Sequence, residues 1–341
     1  MKVLTKINQY RPVKTKPLFL GLGNFDGLHL GHQALIHRVV DRARRTGGIP
    51  ALLTFRTHPQ HVLHPDKKWP LLFSGDYKLF LFQQAGIELC FWLNFTKKFA
   101  KTDAENFVRK WLDGKLRVRE ICMGYNARFG RDRKGDGALM KILSHELGFD
   151  FSDTPPVKVA GEIVSSSRIR QLVETGNLSA AKACLGRPFS LLGEVVYGAG
   201  RGKKLGFPTA NLNLTSTALP PRGVYPVWVR RIEWTGVSRS SGKIGIMQPN
   251  TDKWVKGILN LGFRPTFERR TKVLHAEVFI LNYTGSDFYG KKLEVVFSDR
   301  LREERTFPDA KALKRQIQTD IRMALRKLEK DKEFLYKTGS F

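Results

Sequence analysis

The first half of the chain alternates short apolar runs with segments in which apolar residues recur every three or four positions. Short apolar runs predict buried strands, and the longer recurrence predicts amphipathic helices. The predicted strands are Pro17 to Leu22, Ile49 to Phe55, Glu88 to Phe95, Glu120 to Met123 and Val157 to Val164. The predicted helices are His32 to Ala43, one beginning near Thr102 or Asp103, Ala138 to Leu147, and Ser165 to about Leu185. Repeated strand–helix units predict an α/β fold, a mostly parallel sheet covered on both faces.

Beyond Pro188 the pattern changes to short β-branched and aromatic runs separated by Gly, Pro, Asn and Asp. That spacing is typical of an antiparallel barrel or sandwich. The runs are Gly193 to Tyr197, Gly223 to Ile232, Gly257 to Leu261, His275 to Leu281 and Lys292 to Phe297. The polar segment Ser238 to Trp254 predicts a long hairpin loop, and Ala310 to Leu328 predicts a helix that packs against the barrel. We expect two domains, residues 1–182 and residues 183–341.

Composition excludes a disordered chain, because 41% of the residues are hydrophobic and can bury a core. No run approaches the roughly 20 apolar residues that a membrane-spanning helix needs. The first residues also lack the apolar core of a signal peptide, so we expect a cytoplasmic protein without a membrane partner. Cys90, Cys122 and Cys184 lie far apart without metal-ligand spacing, and we expect buried free thiols.

The chain carries 59 Lys and Arg against 31 Asp and Glu, a formal net charge of +28. Such an excess suggests a nucleic-acid partner, because clustered cations neutralise phosphates. The basic residues, however, are spread along the chain in short runs interleaved with acids. Zinc-finger spacing and RNP-like aromatic motifs are absent from the sequence. We therefore expect a solvated basic surface rather than nucleic-acid binding.

The segment GNFDGLHLGH, Gly23 to His32, lies where the first predicted strand turns into the first predicted helix. Ligands of parallel sheets bind outside the carboxyl ends of strands. The three glycines let the backbone approach a phosphate, and the helix N-terminus offers N–H donors to an anion. His29 and His32 are three residues apart, so both imidazoles can face one phosphate group. The segment predicts a phosphoryl- or nucleotidyl-transfer site, and a tight turn with two surface histidines is the alternative.

HLGH resembles the HxGH signature of nucleotidylyltransferases, and the whole segment is similar to the form found in FMN adenylyltransferases. LTFRTHP, GYNARFG and SSSRIR follow in that family's order. The resemblance implies that His29 and His32 bind ATP phosphates and stabilise the transition state at the α-phosphorus, while Arg168 meets the pyrophosphate from the other side. Asp26 would shape the turn and contact substrate or metal. The further ATP or flavin contacts it implies are Gly23, Asn24, Phe25, Gly31, Asn126 and Ser166.

A second candidate site is GAGRGKKLGFPTANL, Gly198 to Leu212, in which a Gly/Lys/Arg loop precedes a rigid Phe-Pro-Thr turn. Such a loop can fold over phosphates with its backbone N–H groups and cationic side chains. Thr209 and Asn211 alternate at strand spacing, so both side-chain oxygens can point to one face and hold Mg²⁺. An ordinary Gly-Pro hairpin is the alternative.

The second half of the chain resembles riboflavin kinase through LGFPTANLNL, GVY, NLGFRPTF, YGK and REERTF, which occur in family order. The resemblance implies a six-stranded barrel that transfers the γ-phosphate of ATP to the ribityl hydroxyl of riboflavin. It makes Thr209 and Asn211 the Mg-ATP ligands. Glu277, in HAEVFIL, matches the family's general base, which takes the hydroxyl proton. Phosphate or flavin contacts are implied at Gly202, Lys203 and Arg302.

The two motif sets occur in the order of the bifunctional prokaryotic riboflavin kinase/FMN adenylyltransferases, also called FAD synthetases. The resemblance implies a Rossmann-like nucleotidylyltransferase domain followed by an antiparallel β-barrel with a C-terminal helix. It implies that riboflavin is phosphorylated with ATP to FMN, and FMN is adenylylated with ATP to FAD and pyrophosphate, with Mg²⁺ as cofactor. Two alternatives stay open: only one module is active, or a basic nucleic-acid-binding protein retains an enzyme fold.

Overall fold

The N-terminal half of the chain is a six-stranded sheet in which all neighbouring strands are parallel. The computed structural model describes residues 1–197, 206–214, 217–235, 248–251, 253–264, 273–282 and 289–331. The strands are β1 (Lys2–Leu4), β2 (Leu18–Leu22), β3 (Ile49–Phe55), β4 (Leu89–Leu93), β5 (Val118–Gly124) and β6 (Asp150–Thr154). Their spatial order, β1-β4-β3-β2-β5-β6, reverses direction beside β2. A ligand crevice is expected outside the carboxyl end of β2, since it lies at such a reversal.

Helices cover both faces of this sheet, as predicted. They are α1 (Leu30–Arg45), α2 (Pro59–Leu63), α3 (Gly75–Gln84), α4 (Lys97–Ala100), α5 (Ala104–Asn106), α6 (Gly137–Leu147), α7 (Ser166–Glu174) and α8 (Leu178–Leu185). α5 continues into a π-helical stretch, Phe107–Asp113. The predicted apolar face of α1 is buried, and its residues are Leu35, Ile36, Val39, Val40 and Ala43. Cys90, Cys122 and Cys184 are buried free thiols, which confirms that prediction.

The prediction of a strand from Val157 to Val164 is wrong. That segment forms a small hairpin of β7 (Lys158–Val159) and β8 (Glu162–Ile163). Its turn residues, Ala160 and Gly161, have left-handed φ angles of 53° and 80°, which reverse the chain. The sixth strand of the sheet is instead β6, an edge strand whose sequence DFSDT carries too few apolar residues to be recognised as a strand.

The helical pattern from Ser165 to Leu185 is two helices rather than one. The chain breaks at Gly176, whose φ is 83°, and Asn177 then caps α8 by accepting the N–H of Ala180. Glycine adopts this left-handed conformation at little cost and can end a helix there. The helical spacing of apolar residues on both sides of Gly176 therefore does not require one continuous helix.

The C-terminal half is a closed antiparallel barrel, as predicted. Its strands are β9 (Ser190–Val196), β10 (Thr209–Asn213), β11 (Gly223–Thr235), β13 (Val255–Arg264), β14 (Val273–Ile280) and β15 (Lys292–Phe297). They pair in the order β11-β13-β14-β10-β9-β15, and β15 pairs with β11 to close the ring. β12 (Gln248–Thr251) pairs with the outer end of β11, so the predicted loop from Ser238 to Trp254 contains a short strand. Residues 238–247 and 252 of that loop lie outside the described part of the chain.

The C-terminal helix, α9 (Ala310–Lys330), packs on the outside of the barrel as predicted. Leu328 packs against Trp228 and Val296, and Ala324 packs against Val224 and Ile258. Within the described residues, no helix is both long and apolar enough to cross a membrane.

The two halves share one hydrophobic core and a buried polar contact. A single cluster of buried side chains runs from Phe19 and Leu52 of the sheet to Leu191 and Tyr225 of the barrel. Where α3 meets the barrel, the Tyr77 hydroxyl lies 2.5 Å from the Ser190 hydroxyl and donates to Glu294 Oε1 at 2.6 Å. The domain boundary predicted at residue 182 falls inside α8 and stays a prediction.

Candidate active sites

The turn that joins β2 to α1 has an unusual backbone. Phe25, Gly27 and Leu28 have φ angles of 51°, 85° and 41°, in the left-handed region. Non-glycine residues adopt this region at a cost, and such strain persists where the surroundings hold it in place. The side chains of Phe25 and Leu28 are fully buried, so core packing anchors both positions. The turn is therefore a rigid feature at the carboxyl end of β2.

Asp26 holds this turn from inside. Its carboxylate accepts the N–H of Leu72 at 3.0 Å and that of Phe73 at 3.3 Å. Arg170 of α7 donates to the same carboxylate at 3.1 Å. Asp26 is 3% exposed, and these contacts fit the predicted role in shaping the turn, while its contact with substrate or metal stays a prediction.

The backbone carbonyls of the turn are also tied to the interior. The ammonium of Lys78, on α3, donates to the carbonyl of Asn24 at 2.8 Å, and Thr54 donates to the same oxygen at 3.2 Å. Ser166 donates to the carbonyl of Asp26 at 2.8 Å. Burial lowers the pKa of Lys78 to about 8, while the carboxylate of Asp26 opposes that shift. The ammonium of Lys78, which supports the turn, therefore has a pKa close to neutral pH.

His29 and His32 lie together at the N-terminus of α1, as predicted. His29 caps the helix, because its Nδ1 accepts the backbone N–H of His32 at 3.4 Å. Burial is the main cause that lowers the pKa of His29 to about 4 and the pKa of His32 well below its usual value. A neutral His29 that accepts at Nδ1 carries its proton on Nε2, so this nitrogen is a hydrogen-bond donor. Nδ1 of His32 is buried without a hydrogen-bond partner among the described residues.

A cleft of about 490 Å³ opens at this turn and reaches across to β5 and α7. It brings together all of the ATP or flavin contacts predicted for the first site with both histidines: Gly23, Asn24, Phe25, Asp26, His29, Gly31, His32, Asn126 and Ser166. Phe55, Phe107 and Phe129 supply an apolar wall, and Arg128 and Arg133 supply cations. A cleft with helix N–H donors, two imidazoles and an aromatic wall suits a planar ring system that carries phosphates.

Arg168 is the predicted catalytic residue that the structure does not bring to this cleft. Its Nε pairs with Glu162 at 2.9 Å, and its Nη1 donates to the carbonyls of Val159 and Glu162 at 3.2 Å. These contacts hold the guanidinium against the β7–β8 hairpin. Two positions along α7, Arg170 instead reaches the turn through Asp26.

Sequence reasoning missed Lys78, although its setting carried a signal. The lysine lies within the apolar run Tyr77 to Phe82, where every residue is buried. A lysine in such a run either lies buried with a polar partner or breaks the apolar face of its helix. His58, which lines the cleft, was also missed, and burial lowers its pKa to about 4.

A second cavity, of about 720 Å³, lies between the barrel wall and α9. Thr209, Glu277 and Arg302 line it, as do Asn260 and Phe307. Asn211 is 9% exposed and lies directly across the β10–β14 ladder from Glu277. The structure thus places Thr209 and Glu277 in the cavity wall, whereas Asn211 is beside Glu277 in the sheet but is not among the residues that line the cavity. Gly202 and Lys203 lie outside the described residues.

Arg302 has a fixed place in this cavity. Its guanidinium binds Asp320 of α9 through Nε at 3.0 Å and through Nη2 at 2.8 Å. Asp320 is 3% exposed, and Gln316 donates to the same carboxylate at 2.7 Å. A two-pronged contact of this kind sets the plane of the guanidinium. α9 therefore positions one wall of the second cavity, a role that the sequence analysis did not anticipate.

The chain matches two family models, one for each half. Residues 12–168 match the model for FAD synthetase, and residues 185–328 match the model for riboflavin kinase. A bifunctional riboflavin kinase/FMN adenylyltransferase of Escherichia coli (strain K12) is 32% identical over 94% of this chain and 96% of the relative. The protein with that name from Bacillus subtilis (strain 168) is 31% identical over 90% of this chain and 91% of the relative. The solved structure of a macrolide-efflux protein from Streptococcus pneumoniae superposes with a TM-score of 0.75 at 26% identity, covering 95% of this chain and 99% of that one.

Proposed function

Because the chain belongs to the family of bifunctional riboflavin kinase/FMN adenylyltransferases, we propose that each reaction uses one of the two cavities described above. The enzyme phosphorylates riboflavin with ATP to FMN, and adenylylates FMN with ATP to FAD and pyrophosphate. Residues in the stretch that matches FAD synthetase line the first cleft, and those in the stretch that matches riboflavin kinase line the second cavity. The proposal is that adenylyl transfer takes place in the first cleft and phosphoryl transfer in the second cavity.

Adenylyl transfer is assigned to the cleft at the β2–α1 turn. A phosphate oxygen of FMN attacks the α-phosphorus of ATP, the bond from that phosphorus to the bridging oxygen breaks, and pyrophosphate leaves. Charge builds up on the α-phosphate oxygens and on the leaving pyrophosphate. Nε2–H of His29 and the N-terminal N–H groups of α1 supply donors for that charge, in a setting where burial strengthens each hydrogen bond.

Phosphoryl transfer is assigned to the cavity between the barrel and α9. Glu277 takes the proton of the ribityl hydroxyl, the freed oxygen attacks the γ-phosphorus of ATP, and ADP leaves. Asn211 and Asn260 flank Glu277 on the two neighbouring strands, which is the support for that role. Arg302, which Asp320 holds in the cavity wall, would contact the flavin or its phosphate.

Magnesium is proposed at Thr209 and Asn211. Hydroxyl and amide oxygens are donors that Mg²⁺ accepts, and Mg²⁺ takes much of its coordination from substrate phosphates and water. The support is that Thr209 lines the cavity and Asn211 lies across the strand pair from Glu277. When bound, the ion offsets charge on the triphosphate. Thr209 and Asn211 would orient it beside Glu277.

The stacked pair of His29, which is buried, and His32, which is half-buried, lines the first cleft and carries the adenylyl-transfer assignment. The test is to incubate the purified chain with riboflavin, ATP and Mg²⁺ and to separate the flavins over time. We expect FMN to appear first and FAD to follow. If FMN accumulates but FAD never forms, even when FMN is supplied directly, the assignment of the first cleft fails. If neither flavin forms from riboflavin, the assignment of the second cavity fails, and FMN supplied directly then tests the first cleft.

A further inference from the structure

Arg187 connects the two halves of the chain at the β2–α1 turn. It lies between α8 and β9, within the stretch that matches riboflavin kinase, whereas the turn lies within the stretch that matches FAD synthetase. Its Nη2 is 3.3 Å from the carbonyl oxygen of Gly27, and its Nη1 is 3.4 Å from that of Leu28. The same Nη1 is 3.4 Å from the carbonyl of Leu185 at the end of α8. One guanidinium therefore binds the turn and the domain junction together.

The surroundings of Arg187 fix its guanidinium in this place. The guanidinium carbon lies 5.0 Å from the ring centroid of Phe73, and Nε is buried. Burial lowers the pKa of Arg187, while Tyr77 and Glu294 oppose that shift. A buried guanidinium needs such acceptors and aromatic faces to offset its lost hydration. Burying this guanidinium costs free energy of hydration. A direct contact with a ligand in the cleft does not explain it, since Arg187 is not among the residues that line the cleft.

The two carbonyls that Arg187 binds belong to residues with left-handed φ angles directly before His29. Gln33 also donates to the carbonyl of Leu28, at 2.7 Å, and to that of Leu185, at 2.7 Å. These contacts draw the carbonyl oxygens of Gly27 and Leu28 away from the cleft. A carbonyl oxygen that faced the cleft would repel phosphate, and a shifted Leu28 would turn the His29 ring. Arg187 and Gln33 together therefore hold the two carbonyl oxygens that precede His29, and Arg187 is the one of the two that lies in the kinase-matching stretch.

We propose that Arg187 is a positioning residue for adenylyl transfer, so that the kinase half of the chain completes the adenylyltransferase site. The proposal rests on the assignment of adenylyl transfer to the first cleft. Adenylyl transfer in that cleft then depends, through the Arg187 side chain, on how the barrel packs against the sheet domain. It does not require Arg187 to touch either substrate.

The experiment compares Arg187→Met with Arg230→Met in the full chain. Arg230 is the matched control, because its Nε pairs with Glu294 at 2.6 Å at the same junction but it has no contact with the turn. Both reactions are measured separately, from riboflavin and from supplied FMN, together with thermal melting. Hydrogen–deuterium exchange of the peptide that covers Asn24 to His32 reports the turn itself. Arg187→Lys retains the charge and loses the two-pronged geometry.

We expect Arg187→Met to lower kcat/KM for ATP in adenylyl transfer by about tenfold or more, and to raise exchange in the turn. Kinase activity should stay within about twofold of the wild type. Arg187→Lys should recover part of the loss, and Arg230→Met should change neither adenylyl transfer nor exchange in the turn. Wild-type adenylyl transfer by Arg187→Met would overturn the proposal. Equal loss of both reactions in Arg187→Met, or equal loss of adenylyl transfer in both methionine variants, would also overturn it.

If Arg187→Met does not fold, Arg187→Gln against Arg230→Gln decides by the same criteria. A wild-type chain that makes no FAD from supplied FMN would instead refute the proposed function, before any variant is compared.

Discussion

The imidazole rings of His29 and His32 are stacked, with centroids 3.7 Å apart and planes 18° apart. Two protonated rings at that distance would repel each other, and His29 is one of the groups that lower the pKa of His32. In the free enzyme the pair is therefore neutral at pH 7. It presents hydrogen-bond donors rather than two positive charges, and the cations near the cleft come from arginines and from Lys78.

The lowered pKa values of His29 and His58 predict a loss of stability in acid. Each is about 4 in the folded chain, against about 6.5 in an unfolded one. Between these values the unfolded chain binds more protons, so the free energy of unfolding falls as the pH falls from about 6.5 towards 4. His58→Asn, which retains a helix-capping acceptor for α2, should lose less stability than the wild type between pH 7 and pH 5. Urea denaturation at the two pH values measures the difference.

The control for this prediction is His64→Asn, a substitution at an exposed histidine just past the end of α2. It should leave the pH dependence of unfolding unchanged. An equal flattening by His64→Asn would show that burial of His58 is not the cause.

The charged side chain of Lys78 is predicted to lower the free energy of unfolding and to support adenylyl transfer. Its pKa falls from 10.5 to about 8 on burial, which corresponds to about 3 kcal/mol against the charged form at pH 7. Lys78→Met should therefore raise the free energy of unfolding at pH 7 by about 1 to 3 kcal/mol. The gain should shrink as the pH rises from about 8 to 10.5, where the wild-type lysine loses its proton. Urea denaturation at pH 7 and pH 9.5 checks this.

The same variant should slow adenylyl transfer, because the carbonyl of Asn24 loses its ammonium partner. Kinase activity should not change, and the exposed control Lys141→Met should alter neither stability nor activity. A Lys78→Met chain that is less stable at pH 7 and loses both reactions would contradict this account of the turn.

The contact of Tyr77 with Glu294 is predicted to hold the two halves together. Tyr77→Phe removes the hydroxyl that lies between Ser190 and Glu294. The buried oxygens of both residues then lose a hydrogen-bond partner. The free energy of unfolding should fall by about 1 to 3 kcal/mol, with both reactions retained at 25 °C. Tyr197→Phe, at a tyrosine that is 83% exposed, is the control and should change stability little. If both substitutions have the same effect on denaturation, the buried contact does not stabilise the junction.

The elements with strong periodicity were predictable from the sequence. The strand Ile49–Phe55 has the predicted bounds, and the predicted helices His32 to Ala43 and Ala138 to Leu147 lie within α1 and α6. The edge strand β6 was missed, because an edge strand of mixed polarity has no periodic signal. The HLGH turn and its histidines were predictable because glycines and imidazoles occur together at a strand–helix junction.

Contacts between distant parts of the chain were not predictable. Arg187 and Gly27 are 160 residues apart, and nothing in the local sequence of either indicates the other. Arg168 and Arg170 lie on the same helix, and the sequence could not show which guanidinium reaches Asp26. Such choices depend on the packing of whole elements, which the local sequence around either residue does not encode.

The most direct test of two separate sites is complementation between two variants, each inactive at one site. His29→Ala with His32→Ala should make FMN from riboflavin but no FAD, and Glu277→Gln should convert supplied FMN to FAD but leave riboflavin unchanged. When the two purified variants are mixed with riboflavin, ATP and Mg²⁺, FMN released by the first should reach the second, and FAD should form. Loss of both reactions in either variant, or a mixture that forms no FAD, would contradict the account.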